Sequence, residues 1–289
     1  MSMPPPTPWL LVLGGPDSGK STFRGQVFQR FEHRPGALKL LKSVGDIAAI
    51  EQDVNRLTRG LQPMHTSSNT YVSTDFALVD DTGLKYDLSF ADFDGEQLRQ
   101  MSNTNVLPAL WAGRAQRADA WLLFLRIDSI RSVKGFMTHP VLIGPRADVK
   151  ADAALPTPST GTVTEGHAIE MIQRFLFVRG ASLRNRLHSP RLAVLLSCWD
   201  ELANTEKSLL PMDLLVQRAP MLARYLEANW ESDELRVWGL SSTEQPLPAE
   251  VPNKEFARKG PENFGYVVTG AKQEDRDLTL PITWLLRRC

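Results

Sequence analysis

The chain has 289 residues, 42% of them hydrophobic, which is enough to bury a full core and predicts one elaborated α/β domain over 1–289. Its 33 basic residues offset 33 acidic ones, so no global field draws it to nucleic acid or to an anionic membrane, and partners must be argued from sites. Cys198 and Cys289 are far apart and match no metal-ligand spacing, no run approaches the roughly 20 apolar residues of a membrane span, and Met1–Pro8 lacks a basic signal-peptide start, so the expectation is a cytoplasmic protein.

The strongest local signal is Trp9–Thr22. Five apolar residues, Trp9 to Leu13, suit a buried strand and run into Gly14, four further residues, then Gly19-Lys20-Ser21, the spacing of a phosphate-binding loop opening a helix. Gly14, Gly15, Asp17, Ser18, Gly19 and Thr22 are the expected phosphate contacts through main-chain N–H groups beside the positive end of the helix dipole. Lys20 would reach the β- and γ-phosphates and Ser21 would hold Mg²⁺.

Phe23, Val27 and Phe31 recur every fourth residue, predicting a helix over Ser21–Phe31 that ends at Pro35-Gly36. A second helix is predicted from Val44 to Leu61 and closed by Gly60 and Pro63. The polar stretch 63–70 that follows offers Thr66, with Thr70 behind it, as a second hydroxyl for Mg²⁺. Tyr71–Val79 and Lys85–Asp92 alternate around the turn Asp80-Asp81-Thr82-Gly83 and read as a hairpin. Its second strand ends at Asp92-Phe93-Asp94-Gly95, where Asp92 can hold a metal-bound water and the Gly95 N–H can meet a γ-phosphate.

Ala120–Ile127 is the next buried strand. An insert at about 129–164 follows, dense in Pro, Gly and Thr from 144 onward, then a helix over His167–Val178. Arg184, Arg186, His188 and Arg191 read as a solvated basic rim. The continuous apolar strand Leu192–Ser197 ends at Ser197-Cys198-Trp199-Asp200, where the Asp200 carboxylate can accept from N1–H and the N2 amino group of guanine or can cap a following helix. Leu214–Trp230 reads as a helix with Val216, Met221, Leu222 and Leu226 in the core. Leu235–Leu240 is the last strand, followed by Ser241 and Ser242, whose N–H groups could meet the guanine carbonyl. Residues 244–276 read as loop, and Leu278–Leu286 docks back through Trp284 and Leu285.

In order, the stations GGPDSGKS, Thr66, DFDG, SCWD and GLSS resemble those of the Ras-like P-loop GTPases, and the whole chain is similar to the bacterial double-GTPase families through its Pro-x-x-Thr segment, Trp-Asp pair and closing Trp-Leu-Leu. The resemblance implies a three-layer P-loop NTPase fold with a mostly parallel six-stranded sheet, one antiparallel strand and helices on both faces. It also implies GTP/GDP and Mg²⁺ as cofactors, Ser21 and Thr66 at the metal with Asp92 beside it, γ-phosphate sensing by Gly95, guanine reading by Asp200 with Ser241 and Ser242, slow hydrolysis, and a protein partner such as a second GTPase in bacterial signalling or conflict systems. Two departures stand out. Cys198 replaces the lysine whose stem lies across the base, leaving Trp199 or Cys198 as substitutes. Glu96 occupies the place of a water-orienting Gln, with Gln97 one position later, and both are candidates for orienting the attacking water. Arg59 is the nearest upstream arginine to Thr66 but is expected to face solvent. A nucleotide-bound interaction module with little hydrolysis and an ATP-using P-loop protein are the alternatives.

Overall fold

The computed structural model describes residues 9–41, 48–64, 72–92, 107, 109–130, 164–182 and 184–287. Its centre is β1 (Trp9–Gly14), which pairs in parallel with β4 (Lys85–Asp92) on one side and β5 (Ala120–Arg126) on the other. From β5 the parallel sheet continues through β6 (Arg191–Ser197) to β7 (Leu235–Ser241). On the far side of β4 lies its antiparallel hairpin partner β3 (Val72–Asp80), the pair that the alternation and the Asp-Asp-Thr-Gly turn predict. Asp80 holds that turn: its carboxylate accepts from the N–H groups of Thr82 and Leu84 and from the hydroxyls of Thr82 and Tyr86.

All six expected strands are therefore present, and the α/β P-loop arrangement is borne out. Three further strands widen the sheet at its edges: β2 (Leu38–Leu40) beyond β3, and β8 (Tyr266–Gly270) with β9 (Gln273–Asp275) beyond β7, giving nine strands among the described residues. Segment 244–276 is thus not all loop. It folds because Val267 and Val268 are buried while β9 is exposed throughout, so an edge hairpin forms with too few apolar positions to show a period.

Alternation along β1 divides the core into two layers. Leu10 and Val12 face α1 (Lys20–His33), α2 (Ala48–Thr58) and α9 (Leu280–Leu286), joined by Phe23, Val27, Phe31, Ile50 and Leu285. Leu11 and Leu13 face α3 (Ala109–Arg117), α4 (Glu165–Val178), α6 (Pro211–Arg218) and α7 (Pro220–Asn229). Burial on both faces is what a parallel strand requires and explains the unbroken apolar runs. The short α5 (Asn204–Lys207) and α8 (Lys254–Lys259) are the remaining α-helices among the described residues.

Several expectations are corrected. The helix read over Leu214–Trp230 is two helices, because Pro220 has no N–H to continue α6 and instead starts α7. Met221, in the first turn of α7, is 36% exposed rather than core, whereas Leu222 and Leu226 are buried. Arg191 does not belong to the solvated rim with Arg184, Arg186 and His188. Its side chain is only 7% exposed, its Nε donates to Glu234 (2.7 Å), and its guanidinium lies 3.9 Å from the Trp284 ring centre while donating to the carbonyl oxygens of Trp284 and Leu285. It thereby satisfies carbonyls at the C-terminal end of α9, the end where a helix favours a cation. Thr164 caps α4 by accepting from the His167 N–H; the remainder of the expected insert, apart from 129–130, lies outside the described residues, as do 44–47 of the second predicted helix. No helix among the described residues is long and apolar enough to cross a membrane.

Candidate functional site

The C-terminal ends of β1, β5, β6 and β7 face the same edge of the sheet, the edge where parallel α/β folds bind ligands. At β1 the chain leaves the sheet through Gly14, where an added Cβ would stand 2.8 Å from the Phe124 carbonyl oxygen and 2.7 Å from Ser18 Oγ. Asp17 and Gly19 then take positive φ (56° and 85°), curling the loop into the N-terminus of α1. Ser18 Oγ donates to the Gly15 carbonyl (2.8 Å) and tightens the turn. Among the described residues the N–H groups of Gly15, Ser18 and Gly19 have no acceptor, and the first turn of α1 carries no acidic residue. Such a nest of inward N–H groups at a helix N-terminus is built for an anion.

Lys20 is 6% exposed. Its ammonium lies over the loop, donating to the carbonyls of Gly14 (2.9 Å) and Gly15 (2.8 Å) and to Ser18 Oγ (3.3 Å). These contacts fix the charge at the mouth of the nest instead of letting it extend into solvent. Thr22 follows in the first turn of α1, and Ser21, half-buried beside it, has no hydrogen-bond partner among the described residues. Asp92 ends β4, which runs beside β1 in the register Leu11–Ala91, so its backbone stands about level with Val12, short of the loop that follows Gly14. The Ser21 hydroxyl is a hard oxygen donor of the kind Mg²⁺ takes together with phosphate oxygens, so its chemistry fits that ion. The described residues hold no group of three or more His, Cys, Asp or Glu that would bind a metal without a nucleotide. Thr66, Thr70, Gly95, Glu96 and Gln97 lie outside the described residues, as does the Asp92 side chain. Arg59 is exposed, as expected.

The phosphate loop touches the base end of the site directly: a Cβ on Gly19 would meet Ser197 Cβ at 3.6 Å. Past Ser197, Cys198 adopts a left-handed conformation (φ 58°) and leads into a single 3₁₀ turn, Trp199–Glu201. Trp199 is 1% exposed and lies flat against Gly239 of β7, where an added Cβ would be 2.6 Å from the indole. It is a core residue and cannot swing over a bound base, which removes one of the two substitutes for the missing lysine. Burial pushes the Cys198 thiol up to about 12, with Arg126 offsetting only part of the shift, so at neutral pH it is an uncharged group. Asp200 caps no helix: α5 begins after Ala203, and the Lys207 ammonium holds the Asp200 carbonyl (2.7 Å). The Asp200 carboxylate, half-exposed, has no hydrogen-bond partner among the described residues. Tyr266, on β8 opposite Ser241, lies within electrostatic reach of it; burial, then Glu274, Asp200 and Glu244, hold the phenol well above its usual range.

Ser241 is fully buried, and its hydroxyl accepts from the Glu244 N–H (2.9 Å). Gln26 of α1 donates to the Ser242 carbonyl (2.8 Å), and Glu244 accepts from the Gly265 N–H (2.8 Å) and Arg276 (3.0 Å). The N–H groups of Ser242 and Thr243 have no acceptor among the described residues. This turn is shaped by α1 on one side and the β8–β9 hairpin on the other. Sequence reasoning overlooked those anchors, since Gln26 and Arg276 contact the turn from far along the chain. It also passed over Arg126, the last residue of β5, whose Nε donates to Asp128 (3.1 Å) and Nη2 to Glu201 (2.8 Å). A charged residue closing an apolar strand and followed two positions later by Asp was the available signal.

No curated protein significantly matches the chain. The crystal structure of sup35 complexed with GDP is 14% identical over 86% of this chain and 41% of that chain, at a TM-score of 0.33. This chain therefore spans less than half the length of that protein. A family model described as Double-GTPase 1 matches residues 11–285. With that match running through the loop, the Asp200 turn and the closing helix alike, the chain belongs to the Double-GTPase 1 family and is a GTP-binding protein.

Proposed function

We propose that the protein is a Mg²⁺-dependent GTP switch, built as one domain with an insert at about 129–164, that hydrolyses GTP slowly. The observation that supports this reading best is that one edge of the sheet carries both an N–H nest under Lys20 and an Asp200 carboxylate without a partner among the described residues, brought close where Gly19 packs on Ser197. In this reading the loop N–H groups and Lys20 hold the β- and γ-phosphates. Asp200 accepts from N1–H and the N2 amino group, which adenine cannot offer, and the N–H groups of the Ser241–Thr243 turn meet the guanine carbonyl. Ser21, with Thr66 and the Asp92 carboxylate, would hold Mg²⁺, which supplies charge neutralisation at the phosphates when bound.

Phosphoryl transfer from GTP to water needs alignment and charge stabilisation more than covalent chemistry. Glu96 or Gln97 orients the water in this proposal, and a carboxylate at position 96 repels the γ-phosphate, which is why turnover is slow. Loops around Thr66 and Gly95 would order on GTP and relax after hydrolysis, giving a surface for an effector or a second GTPase in bacterial signalling or conflict systems. The expected result is slow phosphate release from GTP in Mg²⁺ that ceases in EDTA and in Lys20→Ala. Release unchanged in Lys20→Ala would overturn the assignment of the loop, and tight GTP retention with no release would replace the switch by a nucleotide-bound interaction module.

A further inference from the structure

Arg126 ends the strand that lies between the phosphate loop on β1 and the Asp200 turn on β6. It ends β5 in register with Ser197 of β6, and Ser197 is the residue on which Gly19 of the phosphate loop packs. Ser197 and Cys198 are the residues that link this contact to Asp200, at the end of β6 beside β5. Cys198 offers only a small neutral thiol there, and Trp199 is locked in the core beneath Gly239. The flat cation beside Ser197 and Cys198 is Arg126. Its side chain is 32% exposed, and two carboxylates on separate segments, Asp128 at 3.1 Å and Glu201 at 2.8 Å, hold the guanidinium in place.

From this arrangement we infer that Arg126 is the platform on which the purine ring of the nucleotide lies. A guanidinium is planar and weakly hydrated and stacks on aromatic faces, whereas an ammonium is a point charge. Asp128 and Glu201 remove most of the rotamer freedom that a long arginine would otherwise lose on binding, so the platform exists before the ligand arrives. The division of labour is then simple. Arg126 gives affinity for any purine, and Asp200 selects guanine. This inference rests on the guanine-nucleotide reading above, and its test separates the two.

The test compares fluorescent GDP binding with displacement by inorganic triphosphate, which has no base, in the full chain and in Arg126→Ala. Arg126→Ala should weaken GDP about tenfold while leaving inorganic triphosphate unchanged, and adding Cys198→Lys in the same background should recover GDP by restoring a cation beside the ring. GDP bound equally well by Arg126→Ala, or GDP and triphosphate weakened in step, would overturn the inference. Failure of the unaltered protein to bind GDP at all would instead sink the guanine-nucleotide reading on which it rests.

Discussion

Two arginines sit at opposite ends of the β5–β6 pair, Arg191 at the start of β6 opposite Ala120 and Arg126 at the end of β5 opposite Ser197. Both have carboxylate partners, yet their surroundings differ. Arg191 is almost sealed: Glu234, the Trp284 ring and the last carbonyls of α9 use its plane and its donors. Arg126 keeps a third of its side chain open, with two carboxylates, Asp128 and Glu201, and the neutral Cys198 thiol around it. At the N-terminal edge of the sheet the fold itself takes up the arginine's plane and donors, beside a cavity lined by Trp238, Trp284 and Arg287, and at the C-terminal edge part of the arginine stays exposed. Parallel strands impose this asymmetry, because loops and helix N-termini gather at their C-terminal ends.

The largest effect that would sharpen the contrast is expected at Arg191. Arg191→Ala leaves Glu234, whose side chain is 13% exposed, without its cation and strips the helix end of its donor, so urea unfolding should show a loss of about 3 kcal/mol. GDP affinity measured on the folded fraction should not move; a fall in affinity without a loss of stability would reverse the roles assigned to the two edges.

Next in size is Asp200→Asn. The amide removes one acceptor and presents a donor to the base, so GDP should weaken by about 2 kcal/mol, roughly thirtyfold, while xanthosine diphosphate gains. Equal binding of both nucleotides before and after the change would show that Asp200 does not read the base.

The smallest effect concerns Cys198. With the thiol raised to about 12, its thiolate fraction at pH 8 is only about one in ten thousand, against roughly one in ten for a thiol at the ordinary value of about 9. In a Cys289→Ser background, labelling by a disulfide reagent should be slow at pH 8. The folded thiol keeps its proton where the unfolded one, with an ordinary thiol pKa of about 9, has lost it; this contribution to stability is therefore constant below pH 9 and is lost as pH rises from 9 toward 12. Rapid labelling at pH 8 in the folded protein would contradict the neutral, partly buried thiol assigned to Cys198.

What the sequence made legible is what local pattern can encode. Trp9–Thr22 declared its strand, turn and helix together, and the hairpin around Asp80 was readable from its turn chemistry. Long-range pairings were not readable. Nothing in the run Arg184–Arg191 tells one arginine from its neighbours until Glu234 and Trp284 arrive from 43 and 93 residues away. Likewise Trp199 could be a base platform or a core residue on sequence grounds, and only the bare backbone of Gly239, on the next strand, decides for the core. The break at Pro220 was visible in the sequence but was overridden by the apolar period running through it.

The central claim is that a guanine nucleotide spans from the Lys20 nest to Asp200. Its most direct test is a titration of the full chain with fluorescent GDP in Mg²⁺ buffer, followed by competition with GTP and with ATP. The account predicts saturable binding that GTP displaces and ATP does not. Equal displacement by ATP, or no saturable binding, would contradict it.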